Sequence, residues 1–310
     1  MSSLTQAIIT ARPAKNPVDP RRPYALHVER ERTSSGEVVD VATIFLTNRE
    51  CPWRCLMCDL WKNTTDEPVP SGAIPEQIDF ALRRLPAARH IKLYNSGNYF
   101  DAAAIPPEDH QAIASRVRHF ERVVVENHPK LCGPACVGFR DLIGVPLEVA
   151  MGLETIHPDV LPRLNKQMTL DDFARATDFL RSYDISVRAF VLLRPPFLDE
   201  PAGLEWAVRS VEWAFRQGVE CCVVIPTRGG NGMMEQLGAA AQFAPPRLRS
   251  LEQSLEAGLA LSGGRVFVDL WDVERLFDCP ICGPARAERM ARMNLSQQIE
   301  PPVACGRCGA

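Results

Sequence analysis

Cys51, Cys55 and Cys58 stand within one short run, ECPWRCLMC. Thiolates are ligands for soft metal ions and for iron–sulfur clusters. A closed zinc site takes four ligands, and a cubane cluster is held by four thiolates. Three on one loop wrap one side of a cluster and leave one iron without a protein partner. An exogenous chelate fits that corner, and an amine and a carboxylate on one carbon form a suitable five-membered ring. Two readings compete: a zinc site completed by a distant His or Cys, and buried thiols with no shared role. The short spacing after a strongly apolar run favours the cluster.

A second set follows near the C-terminus, CPIC (Cys279, Cys282) and CGRC (Cys305, Cys308). Two such pairs read as a zinc ribbon or knuckle, with an auxiliary iron–sulfur cluster as the alternative. A closed four-thiolate site is structural by default. The basic helical stretch between the pairs, ARAERMARMN, faces RNA phosphates or water, and the net charge of −3 favours water. Cys221 and Cys222 fall inside an apolar strand and read as buried apolar groups. Cys132 and Cys136 flank a loop tripeptide and receive no role. His128 and His157 read as locally hydrogen-bonded residues, not ligands.

The elements that must position these residues emerge from the pattern. Apolar β-branched runs at 38–48, 90–96, 122–127, 146–154, 186–194 and 220–227 alternate with helical stretches such as PEQIDFALRRL and PAGLEWAVRSVEWAFRQG. Six strands alternating with helices pair in parallel through right-handed crossovers. The result is an open doubly wound sheet or an incomplete barrel. In either, loops at the C-terminal ends of strands carry the chemistry, and Cys51–Cys55–Cys58 follows the first strand. The expected organisation is an N-terminal extension at 1–38, the α/β unit at 39–235 and a C-terminal region with the four-Cys site at 236–310. A helix at 247–261 and a short strand at 265–270 belong to that last region.

With 310 residues and 46% apolar content, the chain can bury a sizeable core. The small net charge excludes a global field for gathering nucleic acid. No apolar run reaches the roughly 18 residues of a membrane span, and the N-terminus lacks a signal-peptide pattern. A cytoplasmic protein is expected, in which eleven cysteines stay reduced.

Cys-x3-Cys-x2-Cys after the first strand of a βα unit resembles the radical S-adenosylmethionine superfamily. That resemblance implies an α/β fold, a partial (β/α)6 TIM-like barrel with a small C-terminal Cys-rich metal-binding extension. It also implies a [4Fe–4S] cluster on Cys51, Cys55 and Cys58, with S-adenosylmethionine bound at the open iron. Reductive cleavage then gives a 5′-deoxyadenosyl radical that abstracts hydrogen from substrate. Met57 departs from the aromatic residue frequent before the last Cys, but it is apolar and able to pack along adenine.

The same resemblance points to strand ends as cofactor contacts. Asn95, Ser96 and Gly97 replace a Gly-Gly-Glu-like segment and read equally as a turn. Glu126 and Glu154 resemble positions that contact ribose or amine, with a capping or surface carboxylate as the plain alternative. Arg188 and Arg194 share one face of their strand, and either is a candidate partner for the methionine carboxylate, an internal ion pair being the alternative. Ile225 and Pro226 are candidates to pack adenine, and Thr227 or Arg228 to face substrate. The catalytic residue toward substrate is unknown.

The stretch from MGLETIHPDVLPRLNK to LLRPPF resembles the radical domain of the Elongator catalytic subunit. KLYNSGNYFD and ENHP resemble the radical subunit family of archaeosine synthase, which modifies tRNA. The implied partners are S-adenosylmethionine, an electron donor such as flavodoxin or ferredoxin, and tRNA carrying a modified nucleoside; no protein partner is indicated. Zinc is the expected tail metal. The alternative function is a non-catalytic zinc-containing module that binds RNA or protein.

Overall fold

The structure, a computed structural model, describes residues 3–308. Residues 1–2 and 309–310, the outer ends of the expected N-terminal extension and C-terminal region, lie outside them. Eight strands form one sheet in chain order: β1 (Ala25–Arg32), β2 (Val38–Phe45), β3 (His90–Tyr94), β4 (Arg122–Glu126), β5 (Leu147–Glu154), β6 (Ser186–Leu193), β7 (Cys221–Pro226) and β8 (Arg265–Val268). β1 runs antiparallel to β2, and every later neighbour is parallel. The six expected strands are β2 to β7, and the short strand expected at 265–270 extends the sheet as β8. β1 was not expected: its sequence, ALHVERER, is rich in charge and gives no apolar run.

The helices are α1 (Ser3–Ala11), α2 (Ala73–Leu82), α3 (His110–Val117), α4 (Pro134–Ile143), α5 (Val160–Arg163), α6 (Leu170–Ser182), α7 (Glu200–Arg216), α8 (Met233–Ala239), α9 (Leu248–Ala260) and α10 (Gly283–Ser296). Local chemistry fixes their ends. Thr169 and Asp172 form a reciprocal capping box at the start of α6. α7 stops before Gly218, which takes the left-handed φ of 87° that glycine tolerates. At the start of α8, Asn231 Oδ1 accepts from the Met234 amide and starts the turn.

The period-two alternation of the strands sorts two environments. On β6, Val187, Ala189, Val191 and Leu193 face the helices and join an apolar core with Phe173, Leu180, Val211 and Leu255. Arg188, on the other face, meets charges from distant strands. Its guanidinium binds Glu31 of β1 at 2.6 Å and Glu148 of β5 at 2.5 Å. Lys92 of β3 binds Glu29 and Glu31 at 2.8 and 2.6 Å, and Arg265 of β8 reaches Glu148 at 3.4 Å. A contact between β1 and β6 requires the sheet to curl around this inner face, so the barrel is partial and its interior is ionic. Arg122 of β4 also reaches Glu148 at 3.6 Å, so each carboxylate there has a cationic partner, which makes its burial tolerable. Despite burial, Arg188 and Lys92 hold the Glu31 carboxyl well below its usual range.

The sheet's two edges, β1 and β8, are bridged at the rim by Arg265, which donates to the Arg32 carbonyl. α10 packs on both edge strands. Its Asn294 and Gln297 side chains pair with the open side of β8: the Val268 and Val266 amides donate to Asn294 Oδ1 and Gln297 Oε1, and the side-chain amides donate back to the same two residues' carbonyls. Gln297 caps the helix in the left-handed region. Arg289, in the stretch expected to face water or RNA, is 1% exposed and pairs with Glu252 and Glu256 of α9. Among the described residues, no helix is long and apolar enough to cross a membrane.

Candidate metal and cofactor site

Cys51, Cys55 and Cys58 lie on the loop after β2, at the sheet's C-terminal edge, and all three are half-buried. The loop's shape is set by hydrogen bonds to backbone. The Cys58 amide donates to the Cys55 carbonyl, and Trp61 Nε1 to the Cys58 carbonyl at 3.0 Å. Asn231, beyond β7, donates from Nδ2 to the Leu56 and Cys58 carbonyls, and Asn165 donates to the Arg54 carbonyl. The N-terminal residues strap the loop from outside. Glu50 pairs with Arg12 at 2.7 Å, Lys15 at 2.9 Å and Arg54 at 3.2 Å, while Arg12 also lies over the Trp61 ring. This part of the N-terminal extension therefore packs on the loop as an arm.

Beneath the loop the strand ends supply polar groups. Asn98 donates from Nδ2 to Cys51 Sγ at 3.2 Å, and its Oδ1 accepts from the His128 amide at 2.8 Å. His128 stacks on Trp53 with ring centroids 3.8 Å apart. The turn Asn95–Ser96–Gly97 backs onto Cys51: a side-chain carbon at Gly97 would begin 3.5 Å from the Cys51 Cβ. Glu126 holds this turn by accepting from the Asn95 amide at 2.6 Å and the Gly97 amide at 3.3 Å. Tyr24 and Ser96 share a hydroxyl–hydroxyl bond of 2.7 Å. The Asn95 side-chain amide is buried, and neither its nitrogen nor its oxygen has a partner.

Glu154 ends β5 at a register shift, with φ of 65°. It pairs with Lys166 at 2.7 Å, both side chains being 10% exposed. Gly152 makes room for this pair, since a Cβ there would fall 2.2 Å from Glu154 Oε1 and 2.4 Å from Lys166 Nζ. Ser96 and Arg194 also take positive φ, 53° each, at the ends of β3 and β6. Such backbone costs about 1–3 kcal/mol per residue and collects where geometry serves a site.

Electrostatics differ from group to group. Burial pushes the Cys51 thiol up, the Cys55 thiol up to about 12, and the Cys58 thiol up as well. Bare thiols here stay protonated, and a metal must displace the protons to bind. Burial disfavours a charged Lys166, but the paired Glu154 carboxylate outweighs it and holds the ammonium well above its ordinary value. That cation stands ready to balance thiolates. Burial, aided by the Lys166 charge, pushes His128 down to about 3, so its ring is neutral. Desolvation raises the Glu126 carboxyl, with the turn amides pulling the other way.

Of the expected cofactor contacts, Asn95, Ser96, Gly97 and Glu126 gather around Cys51, and Glu154 joins through Lys166. The two arginines stand elsewhere. Arg188 is committed to Glu31 and Glu148 in the ionic interior. Arg194 turns to Glu200 at 2.6 Å and to the Pro245 carbonyl at 2.8 Å. The physical reason is the same for both: a nearby carboxylate already pairs with the guanidinium, although Arg194 Nε stays without a partner. Met57 and Ile225 pack in one apolar wall with Phe197 and Leu192. Thr227 bonds the Leu193 carbonyl and Arg228 pairs with Asp269 at 2.8 Å. Asn98, Trp53, Lys166 and Asn231 were not singled out from sequence; each acts through a partner distant in the chain, and NSGN after a strand was the available hint for Asn98.

In the tail, the four thiols of Cys279, Cys282, Cys305 and Cys308 lie within 4.8 Å of one another and form a metal-type site. Among the described residues, Cys51, Cys55 and Cys58 do not join any set drawn that tightly around one point. Their donor set of three thiols, with the Lys166–Glu154 pair and the unpartnered Asn95 amide near it, fits a thiolate-bound metal group with a polar ligand next to it.

No protein-family model matches the chain. In sequence it is similar to the uncharacterized protein MJ0550 of Methanocaldococcus jannaschii, 22% identical over 304 residues that cover 91% of this chain and 83% of that one. It is also similar to archaeosine synthase subunit beta of Methanosarcina acetivorans, 26% identical over 241 residues, covering 73% and 69%. Among solved structures, Streptococcus suis SuiB bound to precursor peptide SuiA aligns with a TM-score of 0.52 at 10% identity. That alignment covers 72% of this chain but only 47% of SuiB, so the two share a fold over less than half of the larger protein.

Proposed function

We propose that the chain is a radical S-adenosylmethionine enzyme, with Cys51, Cys55 and Cys58 as ligands of a [4Fe–4S] cluster. The observation that carries this reading is the placement of three thiols on one loop at the C-terminal edge of a parallel sheet, with Asn98 donating to the Cys51 sulfur and an unpartnered Asn95 amide beneath. The likeness to an archaeosine synthase subunit beta supports the same reading. When bound and reduced, the cluster supplies the electron that cleaves the sulfonium C–S bond of S-adenosylmethionine.

The chain's own residues bind and orient. Asn98 steadies the Cys51 sulfur by a hydrogen bond. Lys166 offers positive charge next to the thiolates and is held there by Glu154. The turn 95–97, fixed by Glu126, carries the unpartnered Asn95 amide, which would bind the amino-acid part of the cofactor. Met57 and Ile225 give an apolar wall for adenine. Arg188 and Arg194 support the scaffold from their ion pairs. The substrate in this proposal is a modified nucleoside in tRNA, and the electron donor a flavodoxin or ferredoxin in the cytoplasm. The proposed organisation keeps 39–235 as the cofactor-binding unit, with 1–38 and 236–310 as extensions.

Anaerobic purification tests it. About four irons and four sulfides per chain, with 5′-deoxyadenosine formed under reductant, are the expected results. A colourless protein that holds zinc in the loop and leaves S-adenosylmethionine intact would instead establish the non-catalytic zinc module.

A further inference from the structure

We infer that the tail holds one tetrahedral zinc ion on Cys279, Cys282, Cys305 and Cys308, and that this ion latches α10 against the open edges of the sheet. The inference is independent of what the loop after β2 binds.

Distance separates one ion from a cluster. Four sulfurs at about 2.3 Å from a central ion stand about 3.8 Å apart in a tetrahedron. The Cys282 and Cys308 sulfurs are 4.0 Å apart, and all four fall within 4.8 Å. That leaves space for one ion at the centre, not for a cube of irons and sulfides. Each CxxC pair also has the form of a metal knuckle. The Ile281 and Cys282 amides aim at the Cys279 sulfur, and the Arg307 and Cys308 amides aim at the Cys305 sulfur. Such amides stabilise thiolate charge that the ion alone does not cancel. Cys279, Cys282 and Cys305 are buried, so the site is closed on three sides.

Charge gives a second argument. Four thiolates and one divalent ion sum to two negative charges. A cleft of about 240 Å³ beside the sulfurs is lined by Arg247, Arg249 and Arg286, with Asp278 as the opposing acid. Arg286 Nε is buried without a hydrogen-bond partner. Arg286 Nη1 also lies 3.8 Å from Glu252, and the three guanidiniums line one side of the site, where the excess negative charge would lie.

Topology supplies the consequence. α10 begins directly after Cys282 and crosses between β8 and β1. The chain then turns at Gln297 and returns to Cys305. The ion therefore joins the start of α10 to the segment after its end. Between these points, Arg292 binds Glu300 at 2.9 Å and Arg289 donates to the Glu300 carbonyl. Closing that loop through a metal fixes the helix whose amide side chains complete β8.

The test uses the full chain carrying Cys51→Ala, Cys55→Ala and Cys58→Ala together, so any remaining metal reports the tail. Native mass spectrometry and metal analysis should give one zinc per chain and no iron. Cobalt(II) exchange should give a tetrahedral tetrathiolate absorption spectrum. Iron in the tail, with or without sulfide, or fewer than four sulfurs in the cobalt spectrum, overturns the site. For the latch, zinc removal by chelator from that variant should raise amide exchange in α10 and β8 by at least tenfold while β3 and β4 stay protected. Unchanged exchange in α10 and β8, or an equal rise across all strands, overturns the latch.

Discussion

The loop after β2 and the C-terminal tail both present clustered cysteines, yet they differ in nearly every physical respect. The loop draws its three thiols from one short segment at the C-terminal edge of a curled sheet. The tail draws two pairs from either side of a helix and brings them to one point. Around the loop stand a buried cation, a neutral imidazole and an unpartnered amide. Around the tail stand backbone amides and arginines. Identical ligand chemistry therefore serves an open site in one place and a closed one in the other. The deciding variables are convergence and the number of ligands, not residue type.

The sharpest break in this contrast is Cys55→Ala. It should abolish 5′-deoxyadenosine formation, a loss beyond the roughly 100-fold scale of outer-shell changes, while tail zinc stays at one per chain. Parallel turnover and metal assays check it, and unchanged turnover would refute the loop assignment. Next in size, Lys166→Met leaves Glu154 buried without its partner. It should lower stability by about 3 kcal/mol, read by urea denaturation of the metal-free chain, and weaken iron retention in the loop alone. Asn98→Ala should reduce cluster affinity by about tenfold, the lower end for an outer-shell group, with no change in zinc content; cluster loss against chelator concentration measures it.

Acid tests the imidazole stacked on Trp53. His128 ionises near its ordinary value of 6.5 when unfolded but only near about 3 in the fold. The unfolded chain therefore binds the extra proton first, and stability declines as pH falls from 6.5 toward 3. His128→Phe, which retains an aromatic face for Trp53, should make that decline shallower in denaturation curves. An equal slope in both proteins would show that His128 has no part in it.

Much of this arrangement was readable from local signals. Both cysteine groups, six strands and the helix that stops at Gly218 follow from spacing, periodicity and turn chemistry confined to short windows. What escaped depends on partners far apart in sequence. ALHVERER looks unlike a strand until Glu29 and Glu31 meet Lys92 and Arg188 inside the curled sheet. Arg188 fits a ligand contact by strand parity, but parity does not reveal that Glu31, on β1, already occupies it. Lys166 closes the stretch MGLETIHPDVLPRLNK, but only the fold shows it paired with Glu154 in the space that Gly152 leaves. The convergence of the tail pairs was expected, but the choice between one ion and a cluster needed distances.

The amide side chains of Asn294 and Gln297 have one more consequence. A strand at the rim of a sheet ordinarily offers its backbone to any neighbouring molecule with an extended segment. Here the donors and acceptors of Val266 and Val268 are already taken by a helix of the same chain. The molecule thereby guards against edge-to-edge aggregation without a proline, a bulge or a ninth strand.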